Sequence, residues 1–118
     1  MTKLAYLISQ MEGFGKPGAI PTIRHNPGDL RHGPHAQHPG TDKNAVGTYE
    51  TDELGWADLE RQLQLFASRN LTLAQALYIF APPTENNSAN YLKYVLDGLN
   101  MEPSDLVSVA LGQQMTAK

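Results

Sequence analysis

A chain of 118 residues with a formal net charge of −3 and no cysteine is long enough for one domain burying roughly two-thirds of its unfolded surface. It excludes disulfides, thiolate nucleophiles and cysteine-held zinc. The charge is uneven: residues 1–44 carry five basic against three acidic side chains and all four histidines, whereas residues 45–118 carry four against nine. An acidic chain is a poor nucleic-acid binder, because phosphate affinity comes from many Lys and Arg contacts, and no apolar run approaches the ~20 residues of a membrane span.

The first element is a helix from Thr2 to Met11, with Leu4, Leu7, Ile8 and Met11 on one stripe. Glu12 closes it and Gly13 follows as a natural helix terminator. A carboxylate there faces the negative end of the helix dipole and has Phe14 nearby; both effects oppose ionisation and predict a raised pKa, as a general acid needs. The plainer alternative is a solvated Glu at a helix end.

From Gly13 to about Gly47 there is no helical periodicity, and this stretch holds seven of the ten glycines and five of the eight prolines, so it reads as a long ordered loop. Within it Asn26-Pro27-Gly28-Asp29 predicts a type II turn, with Pro second and Gly third. Short extended pieces are expected near Leu30-Arg31 and Val46–Tyr49, without a true sheet.

Helices resume after Thr51. Trp56, Leu59, Leu63 and Phe66 form a stripe, with Thr51 or Asp52 as cap and Trp56 in the core. Thr72-Leu73-Ala74-Gln75 matches a capping box opening a helix to about Phe80, with Leu73, Ala76, Leu77 and Phe80 inward, ended by Pro82-Pro83. Asn86, Asn87 or Ser88 caps the next helix, which buries Tyr91, Leu92, Val95, Leu96 and Leu99. Pro103 fits the first turn of a last helix with Leu106, Val109 and Ala110 inward and Gly112 at its end. The predicted fold is mainly α, a single domain over 1–118.

Four stretches occur together in order: Glu12-Gly13-Phe14-Gly15; Asn26-Pro27-Gly28-Asp29-Leu30-Arg31; Gly47, Tyr49, Thr51 and Gly55-Trp56; and Ala81-Pro82-Pro83 with Asn86-Asn87 and Tyr91. Over residues 1–100 this resembles the small lysozyme-like domains of phage and bacterial peptidoglycan-cleaving enzymes, lytic transglycosylases included. The chain departs from that pattern at His25 and Asp29, where Asn is usual, and at Phe80, where Tyr is common.

The resemblance implies a lysozyme-like fold, Glu12 as the catalytic acid, and cleavage of the β-1,4 bond between N-acetylmuramic acid and N-acetylglucosamine in peptidoglycan. It implies no cofactor and no metal, with peptidoglycan glycan strands as the partner of a monomer, and neither nucleic acid nor stable membrane insertion. The N-terminus reads as having no signal peptide, which fits cytoplasmic synthesis followed by release to the cell wall or periplasm, or carriage on a virion. A single Glu suffices for a transglycosylase, in which the acid turns base and draws in the muramic acid 6-hydroxyl. Hydrolysis needs a second group, and Asp29, Asp42, Glu50 and Asp52 are the carboxylates on offer, none singled out by spacing.

Candidate substrate contacts are Asn26, Asp29, Tyr49, Asn87 and Tyr91. Asn26 and Asn87 can bond N-acetyl and hydroxyl groups, or equally their own turn and helix start. Tyr49, outside the helical stripes, suits a cleft wall, and Tyr91 divides evenly between cleft and core; Tyr78 is a further aromatic. Arg24 and Arg31 suit a muramyl carboxylate or plain solvation. His32, His35 and His38 recur every third residue, but Gly33, Pro34, Pro39 and Gly40 forbid the helix that would make them ligands, so a solvated loop is expected. Besides the enzymatic reading, a non-catalytic phage structural or cell-wall-binding module of the same fold fits the pattern, as does, more distantly, a small helical interaction domain.

Overall fold

The computed structural model describes residues 1–31, 33–37, 46–84 and 87–115. Among these the chain is mainly helical and contains no strand: α1 (Lys3–Glu12), α2 (Ile20–Ile23), α3 (Asp52–Ser68), α4 (Leu73–Phe80), α5 (Ser88–Leu99) and α6 (Val107–Ala110). They form two compact units, one of Met1–Leu7 with Gln62–Lys118, the other of Ile8–Arg61.

The first unit is built on helix stripes. Val95, Leu96 and Leu99 of α5, Leu73, Ala76 and Leu77 of α4, and Val107 and Ala110 of α6 are buried, and α4 packs on both α5 and α6. The capping box of α4 is complete. The Thr72 hydroxyl accepts from Gln75 N at 3.2 Å, and the Gln75 side chain accepts from Thr72 N at 2.9 Å. Phe80, half-buried, meets Phe66 edge-on at 6.2 Å.

Two helices stop in the same manner. After α3, Asn70 turns left-handed at φ 58° while Asn70 N and Leu71 N donate back to Ala67 O and Phe66 O. After α5, Asn100 does so at φ 55°, with Asn100 N and Met101 N donating to Asp97 O and Leu96 O. Asparagine is the residue besides glycine that tolerates this conformation most readily. Asn100 therefore ends α5.

The last helix differs from expectation. It starts at Val107, and Pro103 lies in the preceding turn. Its inward face is Val107 and Ala110, while Leu106 and Val109 are 38 % and 62 % exposed. The reason is a backbone pairing: Leu106 bridges Thr72, and Val107 N donates to Leu71 O, which delays the helix by a turn and rotates its face.

The second unit contains the segment from Gly13 to Thr51. One turn of helix interrupts it, α2, opened by Ala19 in extended conformation with Pro21 near its start. Four residues are too few to show periodicity, so the sequence gives no sign of it. No strand forms from Leu30-Arg31 or Val46–Tyr49; single bonds such as Gly47 N to Leu30 O at 2.7 Å hold them instead. Leu59 of α3 is fully buried, and Thr51 caps α3, its hydroxyl accepting from Leu54 N at 3.3 Å. Asp52 and Glu53 in the first turn face the positive helix end.

No helix among the described residues is long and apolar enough to cross a membrane.

Candidate functional site

Glu12 is the last residue of α1 and is half-buried. The backbone around it is fixed by a Schellman closure: Gly13 takes φ 90°, Gly13 N donates to Gln10 O at 3.2 Å and Phe14 N to Ser9 O at 3.0 Å. Glycine is required because a side chain at that φ is strained. Phe14, thrown outward by the turn, meets Trp56 of α3 edge-on at 5.4 Å. Trp56 is thus half-buried against the Glu12 corner and is not a core residue.

The corner is tied onward to α2. Ala19 packs beside Gly13, and Gly15 N donates to the Thr22 hydroxyl at 2.9 Å. From α2 the chain enters the Asn26–Asp29 turn, anchored by Asn26 N to Pro21 O at 2.8 Å and closed by Asp29 N to Asn26 O at 3.0 Å. The turn is present but is not type II, because Gly28 is not left-handed; the left-handed residues are His25 at φ 54° and Asp29 at φ 52°. Glycine stands at position 28 for space: a Cβ there would lie 2.7 Å from Leu59 Cδ1.

Asn26 is fully buried. Its Nδ2 donates to Leu30 O at 2.7 Å and Gly47 O at 2.9 Å, and its Oδ1 accepts from Leu30 N at 3.0 Å. The amide organises the loop and leaves nothing exposed for a sugar. Tyr49 is 1 % exposed and donates its hydroxyl to Asp58 Oδ2 at 2.9 Å, so it belongs to the interior and not to a cleft wall. Tyr91, in the other unit, is also core at 5 % exposed. Asn87 lies at the start of α5, exposed, without a side-chain capping bond. Tyr78 and Arg31 are exposed.

Asp58 was not singled out by the sequence, and it is the most embedded charge described here. Its side chain is fully buried and receives three donors: Tyr49, the backbone N of His35 at 2.9 Å and the His35 ring Nδ1 at 2.6 Å. Burial pushes its carboxyl up, but the bonds from His35 and Tyr49 outweigh this and hold it below the usual carboxylate range. Burial and then the bond to Asp58 push the Tyr49 phenol well above its ordinary value. With Asp58 ionised, His35 Nδ1 carries the proton. The available signal was an acid on the buried row of α3 between Gly55 and Leu59. His35 is thereby held to the protein, while His32, His38 and Asp42 lie outside the described residues.

Of the remaining carboxylates, Asp52 bonds His25 Nδ1 at 2.7 Å, and Glu50 is exposed. Asp29 is half-buried. Burial raises its pKa, and the Arg24 guanidinium opposes this in part. Arg24 is itself held by donating to Val46 O at 2.8 Å. Glu12, Asp29 and Arg24 all belong to the Ile8–Arg61 unit. Among the described residues no group of His, Cys, Asp and Glu is arranged to hold a metal ion.

Comparison with protein-family models, with curated proteins and with solved structures finds no match to this chain.

Proposed function

We propose that the protein cleaves the β-1,4 glycosidic bond between N-acetylmuramic acid and N-acetylglucosamine in peptidoglycan, with Glu12 as general acid and base. The reading rests on the sequence resemblance and on one structural observation: Glu12 is half-buried at the C-terminal end of α1, on a backbone fixed by the Gly13 closure and the Phe14–Trp56 contact. A carboxyl held at this helix end is a candidate to supply the proton that the leaving sugar oxygen requires. A fixed backbone keeps the group in place without reorganisation during the reaction.

Asp29 remains a candidate polar residue of the site, whereas the buried Asn26 and Tyr49 support it from within. A second reading is a wall-binding module of the same fold that does not turn substrate over, favoured because three of the five expected sugar contacts, Asn26, Tyr49 and Tyr91, are buried in the interior.

Purified peptidoglycan is incubated with the protein and with Glu12→Gln, and released muropeptides are separated and identified. The enzymatic reading expects release by the parent chain and loss of at least ~100-fold in the variant, the contribution typical of a positioned proton donor. Release by both would sink Glu12 as the acid. Polymer binding without release by either would establish the binding module.

A further inference from the structure

Asp29 is more than its turn needs. Its backbone is left-handed at φ 52°, a state that costs a non-glycine residue on the order of 1 kcal/mol and that asparagine adopts as readily. Its carboxyl is half-buried and accepts no hydrogen bond from the described residues; the charge acting on it is Arg24. Leaving a carboxylate partly out of water without a donor is unfavourable, and an amide at this position would close the same turn without that cost. Rare backbone conformations joined to desolvated acids concentrate at working sites.

Its placement is also informative. On α3, Trp56 takes Phe14 from the Glu12 corner, Gly55 lies against His25 and Pro27, and Leu59 lies against Gly28. Positions 55, 56 and 59 occupy adjoining rows of one helix. The Glu12 corner and the Asp29 turn are therefore neighbours on α3.

We propose that Asp29 is the general base partnering Glu12, so that the chain hydrolyses the glycosidic bond with water instead of closing a 1,6-anhydro ring; this rests on the function proposed above. The Asp29 carboxylate takes a proton from water as the water oxygen bonds to C1 of the muramyl sugar. The bond from C1 to O4 of the glucosamine breaks, its electron pair stays on O4, and O4 takes the proton of Glu12. One water is consumed, and both carboxyls return to their starting states by proton exchange with solvent. Arg24 keeps Asp29 ionised against its partial burial, and burial moves its titration toward neutrality, where a base is most effective.

The test compares the parent chain, Asp29→Asn and Glu12→Gln on purified peptidoglycan, scoring reducing-end against anhydro-end products. Asparagine retains the left-handed backbone, and a melting temperature no lower than that of the parent chain confirms an intact fold. The expected result is reducing ends from the parent chain and a fall of at least ~100-fold in their release by Asp29→Asn at saturating polymer. Anhydro ends from the parent chain, or a loss of less than tenfold in the variant, overturns the assignment while leaving Glu12 in place. A parent chain that releases nothing overturns both readings together.

Discussion

The two units hold themselves together by different means. In the unit of α4, α5 and α6 the interior is aliphatic, helices meet through stripes, and polar side chains act at helix ends, as Thr72 and Gln75 do. In the unit of Ile8–Arg61 a long loop is organised by buried polar side chains: Asn26 answers three backbone groups and Asp58 answers three donors. A stripe tolerates exchange among apolar residues of similar volume. A buried polar hub does not, because removing it strands donors or acceptors in a medium that cannot solvate them.

That contrast gives a ranked set of expectations. Asp58→Ala should be the most damaging, lowering unfolding free energy by about 3 kcal/mol in urea titration, because Tyr49 and His35 lose their common acceptor. A loss below ~1 kcal/mol would mean that the hub is not what holds the loop.

The next effect is on pH dependence. Tyr49 titrates near 10.0 when unfolded and higher when folded. Above that pH the unfolded chain releases a proton that the folded chain retains, so stability falls as pH rises. Tyr49→Phe should remove this alkaline slope. At the acid end the two aspartates oppose each other. The Asp58 contribution is present above 3.8 and is lost as pH falls below it, through the lowered folded pKa. Asp29, raised when folded, costs stability once ionised and relieves that cost as pH falls toward 3.8. Asp29→Asn should therefore steepen the net loss of stability on acidification, read from melting temperatures across pH 3–6.

The smallest change is expected in the striped unit. Thr72→Ala removes one cap and should cost about 1 kcal/mol, with no pH dependence. An effect as large as that of Asp58→Ala would erase the distinction between the units.

The same contrast explains what the sequence disclosed. Helices α1, α3, α4 and α5 were legible because a stripe is a local pattern, and so was the Thr72 capping box. The single turn α2 was not, having no second turn to establish a period. The face of α6 was misread because the bridge between Leu106 and Thr72 joins segments far apart in the chain. Asn26 and Tyr49 were read as sugar contacts since polar residues outside stripes look available. Their burial depends on Leu30, Gly47 and Asp58, partners that no spacing rule connects. Glu12 was marked by its helix end, and Asp29 by the turn; the left-handed backbone that distinguishes Asp29 needed coordinates.

Two glycines, Gly28 facing α3 and Gly55 within it, constrain the future of this sequence unequally. A methyl at Gly28 would press on the tip of Leu59, a side chain that can be shortened; one at Gly55 would run into the His25 carbonyl, which cannot. Gly28→Ala should therefore be rescued in part by Leu59→Ala or Leu59→Val, whereas no exchange at a second site should rescue Gly55→Ala. Descendants of this chain can drift at the first position by paired steps and are locked at the second, and a paired-substitution library scored for folding would reveal one permitted diagonal and one empty row.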